Sequence, residues 1–253
     1  MLLRLVLSLL LATGCSKEVP SPKRIRVGAA SDLARAFEEV GKEFTARTGL
    51  VPEFNFGSSG LLAKQIEQSA PIYLYAAANK KFVEQVVSAG RCDRATARMY
   101  GRGRIVAWTR AGSPAPQKLA DLVDPRFKRI AIANPEHAPY GVAAKQALER
   151  SGLWPQVKDR IVYGENIQAT LVYGRDGNAD VAIVALSLAV VTQGGASLQI
   201  DPSLHEPLDQ QLVVCGRGEE ADRARQLADF ITSTDGREIM SRYGFQLPDD
   251  RAQ

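Results

Sequence analysis

The chain has 253 residues, 45% of them hydrophobic and 24% charged, which are ordinary values for a globular protein with a sizeable buried core. Its formal net charge is +4, but lysines and arginines occur singly or in pairs among acidic residues, with no basic run interleaved with aromatic residues. This distribution argues against nucleic acid as a partner. With two histidines, three cysteines and no C-x-x-C pair, the sequence also lacks the ligand spacing of a metal centre.

The first 15 residues predict an export signal. Arg4 gives a positive start, Leu5 to Leu11 form an apolar stretch too short to span a membrane, and a run of small residues ends at Cys15. Gly14-Cys15 resembles the processing signal of bacterial lipoproteins, in which the cysteine becomes the lipidated first residue. We therefore expect an exported, periplasmic protein anchored by a lipid on Cys15, with residues 16–23 as a flexible tether. Cleavage to an unanchored periplasmic protein is the alternative.

If Cys15 carries the lipid, two cysteines remain in the body of the chain, Cys92 and Cys215. In an exported protein these two could form one disulfide. Nothing in the sequence shows whether they lie near each other, so the sequence leaves both the paired and the unpaired state open.

From residue 24 onward the chain alternates strand-like and helix-like hydrophobic patterns. Strands are predicted at Arg24–Val27, Phe54–Phe56, Ile72–Ala78, Arg104–Trp108, Arg129–Ala133, Asp180–Ala185 and Gln211–Cys215. Helices are predicted from Leu33 to Phe44, from Leu61 onward, and over residues 80–89, 141–151, 167–175 and 219–233. This alternation predicts an α/β protein with mostly parallel sheets and helices on both faces. About eight strands are many for one sheet, so two lobes are expected.

Two serines stand where a predicted strand ends and a helix begins. Ser31 lies in Ala29-Ala30-Ser31-Asp32, and Ser59 lies in Phe56-Gly57-Ser58-Ser59-Gly60. The first turn of a helix has unpaired backbone N–H groups and a partial positive charge, and a serine hydroxyl there adds a donor. Either turn alone is an ordinary helix cap. Two such turns facing one another across a cleft would surround an anion with neutral donors.

Two later segments also lead into predicted helices. Pro135-Glu136-His137-Ala138-Pro139-Tyr140-Gly141 precedes the helix at 141–151, and Gly164-Glu165-Asn166-Ile167 precedes the helix at 167–175. In α/β sheets, ligands bind beyond the carboxyl ends of the strands, where the helices begin. Four helix starts, two from each half of the chain, are therefore expected to converge on one anion-binding cleft.

The order of these motifs resembles that of the periplasmic molybdate-binding proteins of ABC transporters. The matching segments are Ala29–Ser31, Phe56–Ser59, Ala70-Pro71, Asn134–Gly141 and Arg242–Phe245, and they extend over about 220 residues. The resemblance implies a two-lobed periplasmic-binding-protein-like fold of type II, with the ligand in the cleft between the lobes. We expect lobe 1 to comprise residues 24–101 and 217–253, and lobe 2 to comprise residues 102–216.

By this resemblance, Ser31 and Ser59 contribute hydroxyl and backbone donors from lobe 1. The backbone N–H groups of Tyr140 and Ile167 are the corresponding donors from lobe 2. A backbone donor at Tyr140 does not depend on the side chain, provided that the ring can point outward.

The chain departs from the family pattern at Ala185. The family often has a tyrosine there whose hydroxyl reaches the oxyanion, and an alanine side chain cannot donate a hydrogen bond. Ser187 or a water molecule is the candidate substitute for that donor, and Ser58 is a further candidate contact.

The resemblance implies capture of molybdate, and of the chemically similar tungstate, outside the inner membrane and its delivery to an ABC permease. The sequence contains no Walker P-loop, so the permease and its ATPase are expected to be separate chains. We expect a monomer with no catalytic residue, no metal ion other than the molybdenum of the oxyanion, and no cofactor. Its contact with the membrane would be the lipid anchor alone.

Three alternatives remain open. The same fold could bind another oxyanion, such as sulfate, phosphate or phosphonate. A secreted hydrolase could use Ser59 as nucleophile and His137 as base, although Leu61 replaces the second glycine of a G-x-S-x-G elbow, and a hydrogen-bonded His137 that fixes its own loop is the simpler interpretation. A two-lobed sensory or adhesion module would dock to no permease.

Overall fold

A computed structural model describes residues 23–247, which form two α/β lobes, each built around a five-stranded sheet. The strands are β1 Arg24–Ala30, β2 Val51–Gly57, β3 Leu74–Ala77, β4 Arg98–Gly103, β5 Ile105–Arg110, β6 Ile130–Ala133, β7 Ile161–Gly164, β8 Val181–Ala185, β9 Gly195–Gln199 and β10 Leu208–Val214. The helices are α1 Ala34–Thr48, α2 Ser59–Glu67, α3 Lys80–Ser88, α4 Pro139–Arg150, α5 Trp154–Val157, α6 Ile167–Arg175, α7 Leu186–Ala189, α8 Glu219–Thr232 and α9 Thr234–Arg242. Short 3-10 helices occupy Ser31–Leu33, Arg94–Thr96, Leu119–Val123, Lys158–Arg160 and Pro202–Leu204.

The predicted export signal, Cys15 and the tether up to residue 22 lie outside the described residues. Between residues 23 and 247, no helix is both long enough and apolar enough to cross a membrane.

The two sheets have equivalent layouts. Lobe 1 has the strand order β2-β1-β3-β10-β4, and lobe 2 has the order β7-β6-β8-β5-β9. The first three strands of each order are parallel, the fourth is antiparallel to both of its neighbours, and mostly parallel sheets are thus confirmed. Central strands such as β6 and β8 are apolar and buried along their whole length, as expected for strands that are covered by helices on both faces.

The structure corrects the predicted boundary between the lobes. The predicted lobe 2, residues 102–216, is too long at both ends. β4 continues the lobe 1 sheet to Gly103, and β10 lies in the same sheet between β3 and β4, so the chain returns to lobe 1 before Leu208. An apolar strand pattern identifies a buried strand but not the sheet that contains it, because the partners of β10 lie far earlier in the chain.

The chain passes between the lobes at two places, from β4 to β5 and from β9 to β10. The first crossing is a single residue, Arg104, whose Nη2 donates a hydrogen bond to the carbonyl of Gly244 (3.1 Å). Beside it, Arg102 and Gln246 exchange two backbone hydrogen bonds of 2.7 and 3.0 Å. The segment after α9 therefore packs along the first crossing.

Cys92 and Cys215 form a disulfide. Cys92 follows α3, and Cys215 directly follows β10, so both belong to lobe 1. The bridge closes a sequence separation of 123 residues that contains the whole of lobe 2. This observation decides the question that the sequence left open.

Candidate functional site

The four predicted helix starts all lie at the carboxyl ends of parallel strands. In lobe 1 the last residues of β1 and β2 are paired, so the turns carrying Ser31 and Ser59 are neighbours. In lobe 2 the last residues of β6 and β7 are paired in the same way, ahead of α4 and α6. The predicted donors Ser31, Ser59, Tyr140 and Ile167 are all buried, with at most 3% of their surface exposed.

Ser59 is held by contacts within lobe 1. Its Oγ accepts a hydrogen bond from the backbone N–H of Ala78 (3.0 Å), and its carbonyl accepts one from the hydroxyl of Tyr75 (2.6 Å). Because the Oγ is an acceptor in this contact, the hydroxyl proton of Ser59 stays available for another acceptor. The sequence did not identify Ala78 as part of the site, although three consecutive alanines end this strand region.

Ser31 connects the two lobes. Its hydroxyl donates to Oδ1 of Asn166 (3.1 Å) and accepts from the backbone N–H of Gln168 (3.4 Å). The same Oδ1 caps α6 by accepting from the N–H of Ala169 (3.0 Å). Ser31 therefore lies directly against the first turn of α6, which carries Ile167.

The backbone N–H groups of Tyr140 and Ile167 are in the first turns of α4 and α6. First-turn N–H groups have no acceptor within their own helix. Neither group donates a hydrogen bond to any other residue in the range 23–247. Both groups are therefore free to donate to a ligand in the cleft.

The ring of Tyr140 does not meet the condition of pointing outward. It is buried, and its hydroxyl donates to Oδ2 of Asp32 in lobe 1 (3.0 Å). Gln210 donates through Nε2 to the same Oδ2 (2.7 Å) and to the Tyr140 oxygen (2.9 Å), and it accepts from Tyr100 at Oε1 (2.7 Å). The ring fits there because Gly103 has no side chain: a Cβ at that position would lie 2.1 Å from the Tyr140 oxygen.

We call Asp32, Tyr100, Tyr140 and Gln210 the hinge network, because they lie beside the first crossing. Burial raises the pKa of Asp32 to about 7, against the opposing effect of the hydrogen bonds from Gln210 and Tyr140. Its Oδ1 has no hydrogen-bond partner among the described residues. In the sequence, Asp32 is recognisable only as part of a helix-start turn, because its partners are distant in the chain.

Ser58, a further candidate contact, is engaged by the other lobe. Its Oγ lies 2.5 Å from the carbonyl oxygen of His137 and 2.8 Å from Nδ1 of the same residue. The hydrolase hypothesis required His137 beside Ser59. The structure pairs His137 with Ser58 instead, while the Oγ of Ser59 contacts the N–H of Ala78.

The remaining candidates lie at the end of β8. Ala185 is fully buried and is the N-cap residue of α7, where its methyl side chain offers no donor. Ser187 donates its proton to the carbonyl of Asp32 (2.8 Å), so that proton is already used in a contact between the lobes. Ser187 is therefore not a free replacement for the missing tyrosine hydroxyl. In the described part of the chain, no group of three or more histidine, cysteine, aspartate or glutamate residues could hold a metal ion.

A family model for the bacterial extracellular solute-binding proteins matches residues 25–246. The chain belongs to this family. Among curated relatives, the molybdate-binding protein ModA of Rhodobacter capsulatus is 29% identical over 216 residues, covering 85% of each chain. ModA of Azotobacter vinelandii is 28% identical over 226 residues, covering 88% of this chain and 90% of that protein.

The solved structure of the periplasmic molybdate-binding protein of Azotobacter vinelandii matches with a TM-score of 0.83 and 27% identity. The match covers 89% of this chain and all of the other. It confirms the expected two-lobed periplasmic-binding-protein-like fold of type II.

Proposed function

We propose that this protein binds molybdate, and also tungstate, in the cleft between its lobes and delivers it to a separate ABC permease. The observation that carries the proposal is the convergence of four buried helix starts, which bring together the hydroxyls of Ser31 and Ser59 and the free N–H groups of Tyr140 and Ile167. To donate to the anion, the hydroxyl of Ser31 gives up its hydrogen bond to Oδ1 of Asn166. The molybdate-binding relatives name the anion, since they match nearly the whole described chain.

Neutral donors suit a small dianion in a dry cleft. Removing the anion from water is expensive unless hydrogen-bond donors replace its hydration shell. Hydrogen bonds to a charged group contribute roughly 1.5–3 kcal/mol each. The six expected donors are the hydroxyls of Ser31 and Ser59 and the backbone N–H groups of Ser31, Ser59, Tyr140 and Ile167. Together they would contribute roughly 9–18 kcal/mol, before about 4 kcal/mol or more is lost on association. Such a balance supports micromolar or tighter binding.

Calorimetric titration with molybdate, tungstate, sulfate, phosphate and phosphonate tests the identity of the ligand. We expect heat of binding from molybdate and tungstate at micromolar concentration. Heat from sulfate with none from molybdate would overturn the proposed ligand while leaving the oxyanion site in place.

Alanine variants test the site itself. Ser31→Ala and Ser59→Ala should each weaken molybdate binding by about 1–3 kcal/mol, or roughly 5- to 150-fold, because each removes one charge-assisted donor. Ser88→Ala, at the exposed end of α3, is the matched control and should bind as the parent does. Unchanged affinity in both site variants would show that the two turns are only helix caps.

The proposal includes export, anchoring and the absence of catalysis. Mass spectrometry of the mature protein should find an amino terminus at Cys15 that carries acyl mass, and any other terminus refutes the anchor. The parent should release no product from esterase or peptidase substrates, since His137 contacts Ser58 and not Ser59. Stimulation of ATP hydrolysis in the reconstituted permease by the loaded protein would test delivery.

A further inference from the structure

The first turn of α2 reaches across the cleft to the loop before α4. Ser58 is the N-cap residue of α2, yet its side chain does not cap its own helix. It bonds His137 of lobe 2 instead. Two residues on, the backbone N–H of Gly60 donates to the same His137 carbonyl (2.9 Å). The carbonyl thus lies at the positive end of α2 and accepts two hydrogen bonds from it.

The hydrogen bonds between Ser58 and His137 are compatible only in one direction. A serine hydroxyl has one proton and a carbonyl can only accept, so Ser58 donates to the carbonyl of His137. The imidazole Nδ1 must then carry a proton and donate it to the Oγ of Ser58. These two bonds and the bond from the N–H of Gly60 to the His137 carbonyl can therefore form together. All three join lobe 1 to lobe 2.

Gly60 allows the lobes to approach this closely. A Cβ at Gly60 would lie 2.9 Å from both Cβ and the carbonyl oxygen of His137, and 2.8 Å from Cζ of Phe82. Such distances are shorter than real Cβ contacts allow, and the carbonyl is backbone that cannot rotate away. By contrast, a Cβ at Gly57 would meet only Leu62 of its own lobe, at an ordinary 3.4 Å.

We propose that Ser58, Gly60 and His137 are the closing contact of the cleft, and that Gly60 sets how far the lobes close around the anion. This inference rests on the proposed function, since the anion is the ligand around which the lobes close. Ser58 is then a positioning residue and not an anion ligand. Ser59, a predicted anion ligand, lies between the two closing residues in the sequence, and its own contacts with Ala78 and Tyr75 stay within lobe 1.

The test compares Gly60→Ala with Gly57→Ala, the same change three residues apart. Alanine favours a helix more than glycine does, so Gly60→Ala does not weaken α2 itself. We expect Gly60→Ala to bind molybdate at least about 10-fold more weakly, with faster dissociation, because the apparent affinity falls with the fraction of molecules that can close. X-ray scattering at saturating molybdate should show a larger radius of gyration for Gly60→Ala than for the parent. Gly57→Ala should match the parent in both measurements.

A double variant separates closure from packing within lobe 1. Phe82→Leu removes the Cζ atom that a Cβ at position 60 would meet, and leaves the clash with His137 in place. Gly60→Ala with Phe82→Leu should therefore still bind weakly and remain expanded, compared with Phe82→Leu alone. Parent-like affinity and radius in this double variant would overturn the proposal.

Failure of the proposed function gives a different result. A parent that shows no heat with any of the five oxyanions contradicts the ligand. The closing contact is then tested by X-ray scattering of the anion-free proteins. A larger radius of gyration for Gly60→Ala than for the parent supports the closing contact, and an equal radius overturns it.

Discussion

Among the contacts that join the lobes of this molecule, two regions are built from different groups. The hinge network is a set of buried side chains around the carboxyl group of Asp32. The closing contact consists mainly of hydrogen bonds to the backbone carbonyl of His137, a half-buried residue. A buried carboxyl without a cationic partner responds to pH and strongly affects folding free energy, whereas a backbone carbonyl does not titrate. The hinge network should therefore govern stability, and the closing contact should govern the fraction of closed molecules.

The largest expected effect on unfolding free energy comes from the disulfide, which lies outside both regions. It shows how a loss of stability alone acts on molybdate binding. Replacing both Cys92 and Cys215 with serine removes a cross-link that spans 123 residues, which chain-entropy arithmetic equates with about 5 kcal/mol of unfolding free energy. Urea unfolding should show this loss. Molybdate affinity should be unchanged under conditions where the variant stays folded, since neither region between the lobes is altered. A parallel fall in affinity would mean that the cross-link also shapes the cleft.

The second effect tests the hinge network through pH. The pKa of Asp32 is about 7 in the folded protein and 3.8 for an ordinary aspartate. Below pH 3.8 both states hold the proton, and the stabilising contribution is complete. As the pH rises from about 4 to 7, the unfolded chain loses the proton first, so about 4 kcal/mol of stability is lost, and the loss levels off above pH 7.

Asp32→Asn isolates this contribution, because it replaces the titrating acid with a neutral amide. Other carboxyls have lowered pKa values, Glu39 and Glu220 among them, and they act in the opposite direction in both proteins. The unfolding free energies should therefore be compared as a difference at each pH. Between pH 4 and 7 that difference should move by about 4 kcal/mol in favour of the asparagine variant. Parallel stability curves would show that Asp32 does not titrate in this range.

Much of the fold follows from local patterns, and what the sequence missed has physical causes. The buried runs of β6 and β8 and the apolar face of α1 were predicted because each strand or helix carries its own hydrophobic period. The strand β9 was not predicted, since nearly all of it is exposed and it has no alternation to detect. β4 was also missed, because two glycines and two arginines interrupt its apolar residues.

The residues of the candidate site also divide into those with a local sequence signal and those whose partners are distant in the chain. Ser31 and Ser59 were predicted as candidates because a serine at a strand-to-helix turn is a local signal. The hinge network was not predicted, because Asp32 meets Gln210 across 178 residues of sequence. The inward position of the Tyr140 ring could not be predicted for the same reason: only the folded chain shows that Gly103 leaves space for the ring.

A third prediction separates the role of the hinge network between the lobes from its role within lobe 1. Tyr140→Phe removes two hydrogen bonds between the lobes, to Asp32 and from Gln210. Tyr100→Phe removes hydrogen bonds to Gln210 and Ala77 within lobe 1. Each variant should lose about 1–3 kcal/mol of unfolding free energy. Tyr140→Phe takes one of two donors from the buried Oδ2 of Asp32, and Tyr100→Phe leaves the buried Oε1 of Gln210 without its donor. Tyr140→Phe alone should also weaken molybdate binding, measured by calorimetry. Equal affinity losses in both would mean that the network acts on the cleft as one unit.

The smallest expected effects lie in the closing contact. They show whether the backbone carbonyl or the imidazole of His137 holds the lobes together there. Ser58→Ala removes the hydroxyl that donates to the carbonyl and should weaken molybdate binding by about 0.5–1.5 kcal/mol, since the N–H of Gly60 still donates there. His137→Ala keeps both bonds to the carbonyl and loses only the imidazole contact with Ser58, so its effect should be smaller still. Calorimetry of the two variants beside the parent decides the order. A larger loss in His137→Ala would show that the imidazole, and not the backbone carbonyl, holds the lobes together at this edge of the cleft.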